Sequence, residues 1–209
     1  MRLVSAPRSF RDPRLPLPGR TVWCRPPVLE QVRGSPRQPR CVYGTLGTVF
    51  NVESGDLLSR LVQAFSRLEI EALLTTGPHI GRHELPDAPA RVQVEQFVPQ
   101  HQVLARSRAV VCHGGSGTVI ASLSLGVPVV LLPMGADQPD NADRCEELGV
   151  GVVLDPVSVE PDAIVAGMRT VMDDRPYAQA AARLASEAHG QPQLHEIADL
   201  HALLETGQA

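Results

Sequence analysis

Short apolar runs alternate with amphipathic stretches along most of this chain. Cys41-Val42-Tyr43 opens a strand that stops at Gly44-Thr45-Leu46-Gly47-Thr48. Leu57, Leu58, Leu61, Val62, Phe65 and Leu68 then recur at helical spacing, which predicts a helix starting near Asp56. Strands follow at 70–74 and 92–97, with a short helix at 101–106. Ala109-Val110-Val111-Cys112 is apolar throughout, which predicts a central strand buried on both faces. A tight loop at 114–117 leads into a helix over 118–125. A fifth strand spans 127–132, a helix 138–148 ends at Gly149, and a sixth strand spans 152–154. Helices are predicted at about 160–173, 176–188 and 192–205, with Pro161 and Pro192 suited to first turns.

This alternation predicts an α/β domain: a parallel sheet covered by helices over residues 41–209. Ligands of such sheets sit beyond the carboxyl ends of the strands. The loops that matter are therefore 44–48, 75–79, 98–100, 113–118 and 133–138. Residues 1–40 show no such pattern and read as an irregular Pro/Arg-rich segment and linker. Thr21-Val22-Trp23-Cys24 is one short strand within it.

Charge sharpens that division. Residues 1–40 hold nine arginines against Asp12 and Glu30, so a net charge of −4 leaves −11 for the remainder. Eight prolines interrupt the basic stretch, which we read as an extended linker with solvated arginines. Aromatic residues make up only 3%, which argues against a stacking surface for nucleic acid. No apolar run approaches the ~18 residues of a membrane span. The four cysteines form no Cys-x-x-Cys pair, and no secretory leader is read at the N-terminus. Buried free thiols in the cytoplasm are the expectation.

The loop after the central strand carries the chemistry. His113-Gly114-Gly115-Ser116-Gly117-Thr118 joins an apolar strand to a helix start. Free N–H groups and the helix dipole favour an anion there, and the glycines allow close approach. Ser116 and Thr118 add hydroxyls, and His113 adds a ring N–H. A Walker loop is excluded because the chain has no lysine. The dinucleotide pattern fails because Ile120 stands where the third glycine belongs. Asp137 lies 20 residues after Gly117, a chance match to a ribose-binding acid, since a helix and a strand intervene.

With these residues in place, the sequence resembles bacterial glycosyltransferases of the two-domain GT-B type that decorate macrolides, glycopeptides and other natural products. The matching blocks are Phe97-Val98-Pro99-Gln100, the 113–118 loop, and Gly135-Ala136-Asp137-Gln138-Pro139-Asp140-Asn141-Ala142. The resemblance implies a Rossmann-like parallel sheet, the C-terminal half of a GT-B fold. It implies a nucleoside-diphosphate sugar as co-substrate, dTDP- or UDP-linked, and a hexose transferred to a small acceptor. Val98 would read the nucleobase through its backbone, with Phe97 and Gln100 beside it. His113 would bond the pyrophosphate, and Gly115, Ser116, Gly117 and Thr118 would cradle it. Asp137 and Gln138 would bond sugar hydroxyls. Gly47 and Thr48 would face the phosphates across the interdomain cleft.

The resemblance implies no cofactor and no metal, since fixed N–H dipoles meet the charge of the leaving group. Two departures stand out. Ala121 occupies a position where some relatives carry a ribose-binding glutamate. The family is also about twice as long, and its acceptor-binding domain with the catalytic base has no counterpart here. No catalytic residue is therefore assigned, and residues 1–30 resemble the tail of that domain. The isolated chain is expected to bind donor without transferring sugar. A split-enzyme donor subunit, an inactive scaffold and a sugar-nucleotide epimerase remain alternatives.

Other constellations carry less. His79 and His83 have metal-ligand spacing, but Pro78 and Gly81 break the helix that would present them. His189, His195 and His201 do not share a helical face. Cys112 reads as a core thiol rather than a nucleophile.

Overall fold

A computed structural model describes residues 2–17, 19–34, 39–47 and 54–197. From Arg2 the chain forms β1 (Arg2–Val4), a 3-10 turn (Arg8–Phe10), β2 (Thr21–Trp23) and the single-turn helix α1 (Val28–Gln31). It continues as β3 (Cys41–Thr45), α2 (Leu57–Ser66), β4 (Glu71–Thr75) and β5 (Val92–Glu95). Next come α3 (Gln100–Leu104), β6 (Ser107–Cys112), α4 (Ser116–Ser124) and β7 (Val129–Leu131). The domain closes with α5 (Gln138–Glu147), β8 (Gly151–Val153), α6 (Pro161–Asp173) and α7 (Arg175–His189).

Six strands pair in the order β5-β4-β3-β6-β7-β8, all parallel. Strand order reverses between β3 and β6, so the crevice beyond their carboxyl ends is the natural ligand site. Side chains alternate between two cores. Val42, Val111 and Val130 face Phe65 of α2 and Ile164 and Met168 of α6. Tyr43, Val110, Cys112 and Leu131 face Leu123 of α4, Cys145 of α5 and Leu184 of α7. Gly44 lets α2 press onto β3, since a Cβ there would lie 2.8 Å from Phe65 and Leu74 atoms. Burying a side chain such as Phe65 contributes about 1.5–3 kcal/mol.

The six strands expected after residue 40 are all present, with bounds shifted by one or two residues. Residues 127–132 are all buried, yet only Val129–Leu131 pair as a strand. Helices cover apolar chain beyond the ladder, so hydrophobicity overstates strand length. The helix expected over 192–205 is corrected in its described part. Only a 3-10 turn forms at Leu194–Glu196, and the residues from 198 on lie outside the described part.

The N-terminal segment also departs from the extended, irregular linker, although most of its described arginines are exposed. β1 and β2 pair in parallel, and Phe10 is buried against the α4/α5/α7 core. Val28 and Leu29 of α1 pack on Ala188 of α7. The Arg25 guanidinium donates to the carbonyls of His189 (2.7 Å) and Gln191 (3.2 Å), satisfying the carboxyl end of α7. Arg14 bridges Asp12 and Glu147, at 2.8 and 2.9 Å. These arginines anchor the segment by long-range contacts, which no local periodicity announces.

Candidate functional site

The loops after β3, β5, β6 and β7 meet around a cleft of about 640 Å³ at the carboxyl edge of the sheet. It is lined by Gly47, Phe97, Val98, Gln100, His113, Gly115, Ser116, Gly117, Thr118, Asp137 and Gln138. Eleven of the twelve residues singled out in the sequence thus share one cleft. The twelfth, Thr48, lies outside the described residues. Tyr43, Thr45, Thr75, Gly77, Gln96 and Ala136 also line it. Of these six, only Ala136 lies in one of the motif blocks. Tyr43 and Thr75 are brought together by β3–β4 pairing, with their hydroxyls 3.0 Å apart.

The glycine-rich turn follows β6, across the strand-order reversal from β3. His113 directly follows β6, and its ring is wedged between two glycines. A Cβ on Gly47 would lie 2.7 Å from Cε1, and one on Gly115 would lie 2.5 Å from Nε2. These glycines therefore hold space for the imidazole. Gly114 takes φ +89°, the left-handed turn that swings the chain into α4. Gly117 differs: a Cβ there meets nothing within 4 Å, so its missing side chain leaves cleft space open. Burial lowers the His113 pKa below its ordinary value, while the Thr45 backbone and the Asp137 charge act the other way. Its buried Nδ1 finds no partner in hydrogen-bond geometry among the described residues.

Helix α4 opens with Gly115 in extended conformation as its N-cap. Val119 N–H donates to the Gly115 carbonyl at 3.1 Å, while the N–H groups of Gly117 and Thr118 have no partner among the described residues. The Gln100 amide donates to Thr118 Oγ1 at 3.0 Å, which leaves the Thr118 hydroxyl proton able to donate.

The loop after β7 supplies side chains instead. Gln138 is 2% exposed, and its Oε1 accepts from the N–H groups of Met134 (2.7 Å) and Gly135 (3.3 Å). Ala136 holds φ +56°, which aims Asp137 back at α4. Asp137 Oδ2 accepts from Ser116 Oγ (2.6 Å), Ser116 N–H (3.2 Å) and Asn141 Nδ2 (2.9 Å). The Ser116 hydroxyl, foremost, holds the Asp137 carboxyl below its usual range. Phe97 stands 80% exposed at the rim, and Val98 packs beneath it against the Tyr43 side of the core. Burial pushes the Cys112 thiol up to about 12, which fits a core residue.

An imidazole, open helix N–H groups and a carboxylate–amide pair converge beyond the reversal point of a parallel sheet. This is the C-terminal half of a GT-B glycosyltransferase. Residues 59–204 match the family described as "Erythromycin biosynthesis protein CIII-like, C-terminal domain", to which the chain belongs. A "PGL/p-HBAD biosynthesis glycosyltransferase" of Mycobacterium tuberculosis is 35% identical over 151 residues, covering 71% of this chain and 33% of that protein. The calicheamicin glycosyltransferase CalG4 superposes with TM-score 0.82 at 26% identity, covering 99% of this chain and 54% of CalG4. The spinosyn rhamnosyltransferase SpnG, solved with thymidine diphosphate, superposes with TM-score 0.76 at 25% identity, covering 99% of this chain and 56% of SpnG. The chain thus spans about half the length of these solved structures and a third of the curated relative. Among the described residues no helix is long and apolar enough to cross a membrane.

Proposed function

We propose that this chain binds a dTDP- or UDP-linked sugar, as the donor half of an enzyme that transfers a hexose to a small natural-product acceptor. The observation that carries the reading is the convergence of His113, the start of α4 and the Asp137–Gln138 pair on one cleft. The diphosphate would lie against the start of α4, at Ser116, Gly117 and Thr118, and against the His113 ring. As the glycosidic bond breaks, negative charge grows on the leaving diphosphate, and these fixed dipoles stabilise it without reorganising. Asp137 and the Gln138 amide would meet sugar hydroxyls, and the Val98 backbone would meet the base. Thymidine diphosphate bound to SpnG supports this choice of ligand.

On this reading no metal is required, so chelator leaves donor binding unchanged. Acceptor binding and activation fall to the half of the relatives that the chain does not match. That half is supplied by the same polypeptide or by a partner subunit. Four buried free cysteines suit a reducing compartment, the cytoplasm.

Calorimetric titration with UDP, dTDP, GDP and their sugars tests the reading. Binding of a uridine or thymidine member is expected, with His113→Ala weakening it by at least about tenfold, the equivalent of ~1.4 kcal/mol. Unchanged binding in that variant would remove His113 from the diphosphate site. Sugar transfer by the 209-residue chain unaided would refute the assignment of acceptor activation to another half.

A further inference from the structure

In this structure the anion seat at the start of α4 is partly taken by the protein's own carboxylate. Asp137 Oδ2 accepts from both the backbone N–H and the hydroxyl of Ser116, the first residue of the helix. Asn141 steadies the arrangement from α5. Its amide nitrogen, with two hydrogens shared among three acceptors, lies 2.9 Å from Asp137 Oδ2, 3.1 Å from Ser116 Oγ and 2.8 Å from the Gly114 carbonyl. One amide thus ties the acid, the helix start and the glycine turn together. A carboxylate at a helix N-terminus meets the same dipole and donors as a phosphate oxygen.

We infer that Asp137 is an internal competitor for the diphosphate position, held there by Ser116 and Asn141, and that its displacement makes the site prefer a sugar-bearing diphosphate to a bare one. The inference rests on the nucleotide-sugar reading above. A diphosphate that takes the Ser116 donors must expel the carboxylate. With a sugar attached, the displaced Asp137 finds hydroxyl donors nearby, and its lost hydrogen bonds are replaced. With a bare diphosphate it finds none, and it repels the phosphates. The spent diphosphate is therefore held less tightly than the donor, which favours its release.

The test is calorimetry on the wild-type chain, Asp137→Asn and Asp137→Ala, with UDP, dTDP and their sugar conjugates. Both variants remove the competing charge. Each is expected to bind the bare diphosphate about three- to tenfold more tightly than wild type, given the modest worth of a partly solvated charged hydrogen bond. The wild-type preference for the sugar conjugate should shrink in both. A co-crystal of the wild-type chain with dTDP or UDP should show the Asp137 carboxylate off Ser116, a readout independent of variant folding. Equal or weaker diphosphate binding in both variants, or Asp137 still on Ser116 in the complex, overturns the inference alone. Absence of nucleotide binding by wild type and both variants overturns the nucleotide reading and this inference with it.

Discussion

Two neighbouring loops at the carboxyl edge of the sheet reach similar positions by opposite means. The loop after β6 is built from backbone: Gly114, Gly115 and Gly117 carry no side chain, and its open groups are N–H dipoles at the start of α4. The loop after β7 is built from side chains: Gln138 pins the turn through Met134 and Gly135, and Asp137 projects a carboxylate. On the donor-binding reading proposed above, the difference matches two recognition problems. A diphosphate is always anionic, so fixed donors suffice. Sugar hydroxyls differ in position and both donate and accept, so an acid–amide pair reads them better. Within the first loop, Gly115 leaves space that the His113 ring fills, whereas Gly117 leaves cleft space open.

The largest expected effect breaks the first loop. Gly115→Ala places a methyl where His113 Nε2 lies, and Gly47 blocks retreat on the other side. Overpacking of this kind costs about 1–3 kcal/mol of stability. Diphosphate affinity should fall at least tenfold, about 1.4 kcal/mol. Gly117→Ala is the matched control, for it meets no protein atom and suits a helix. Thermal melts should show it as stable as wild type or more so, by up to about 0.5–1 kcal/mol, while titration shows weaker ligand binding. Identical behaviour of the two variants in melts would erase the distinction between the glycines.

Next is Gln138→Ala in the second loop. It strips two backbone N–H groups of their acceptor at a buried position, with an expected loss of about 1–3 kcal/mol in denaturant unfolding. Affinity for a bare diphosphate should change little, while the preference for its sugar conjugate declines. A greater loss for the bare diphosphate would mean that the β7 loop, too, serves the phosphates.

The smallest effect is the pH dependence contributed by His113. Burial holds its pKa low, and a bound diphosphate would raise it again. Protons are then taken up on binding. Affinity therefore rises as pH falls through the raised value in the complex, and levels off below the lowered value that burial sets. Subtracting the pH profile of His113→Ala removes the titration of the phosphates themselves. No difference between the two profiles would show that the ring stays neutral when ligand binds.

The pattern of apolar residues was enough to read the parallel α/β domain. Strands covered on both faces must be apolar along their length, and Ala109 to Cys112 shows it directly. Strand limits were less legible, because burial of Val127, Pro128 and Leu132 under helices mimics strand pairing. Residues 2–34 read as an extended, irregular linker for the opposite reason. Their anchors, Phe10 on the core and Arg25 on the end of α7, are contacts with residues far away in sequence.

By itself the sequence determined the alternation of strands and helices, the glycine turn after a buried strand and the motif blocks that belong to the site. Each is a local property of residue type and spacing. Only the tertiary structure decided that β3 and β6 lie side by side, so that Gly47 and Gly115 clasp one imidazole. It alone joined Tyr43 to Thr75, and Asp137 and Asn141 to Ser116. Those hydrogen-bonded pairs lie 21 to 32 residues apart, and strand order and helix placement bring them within range.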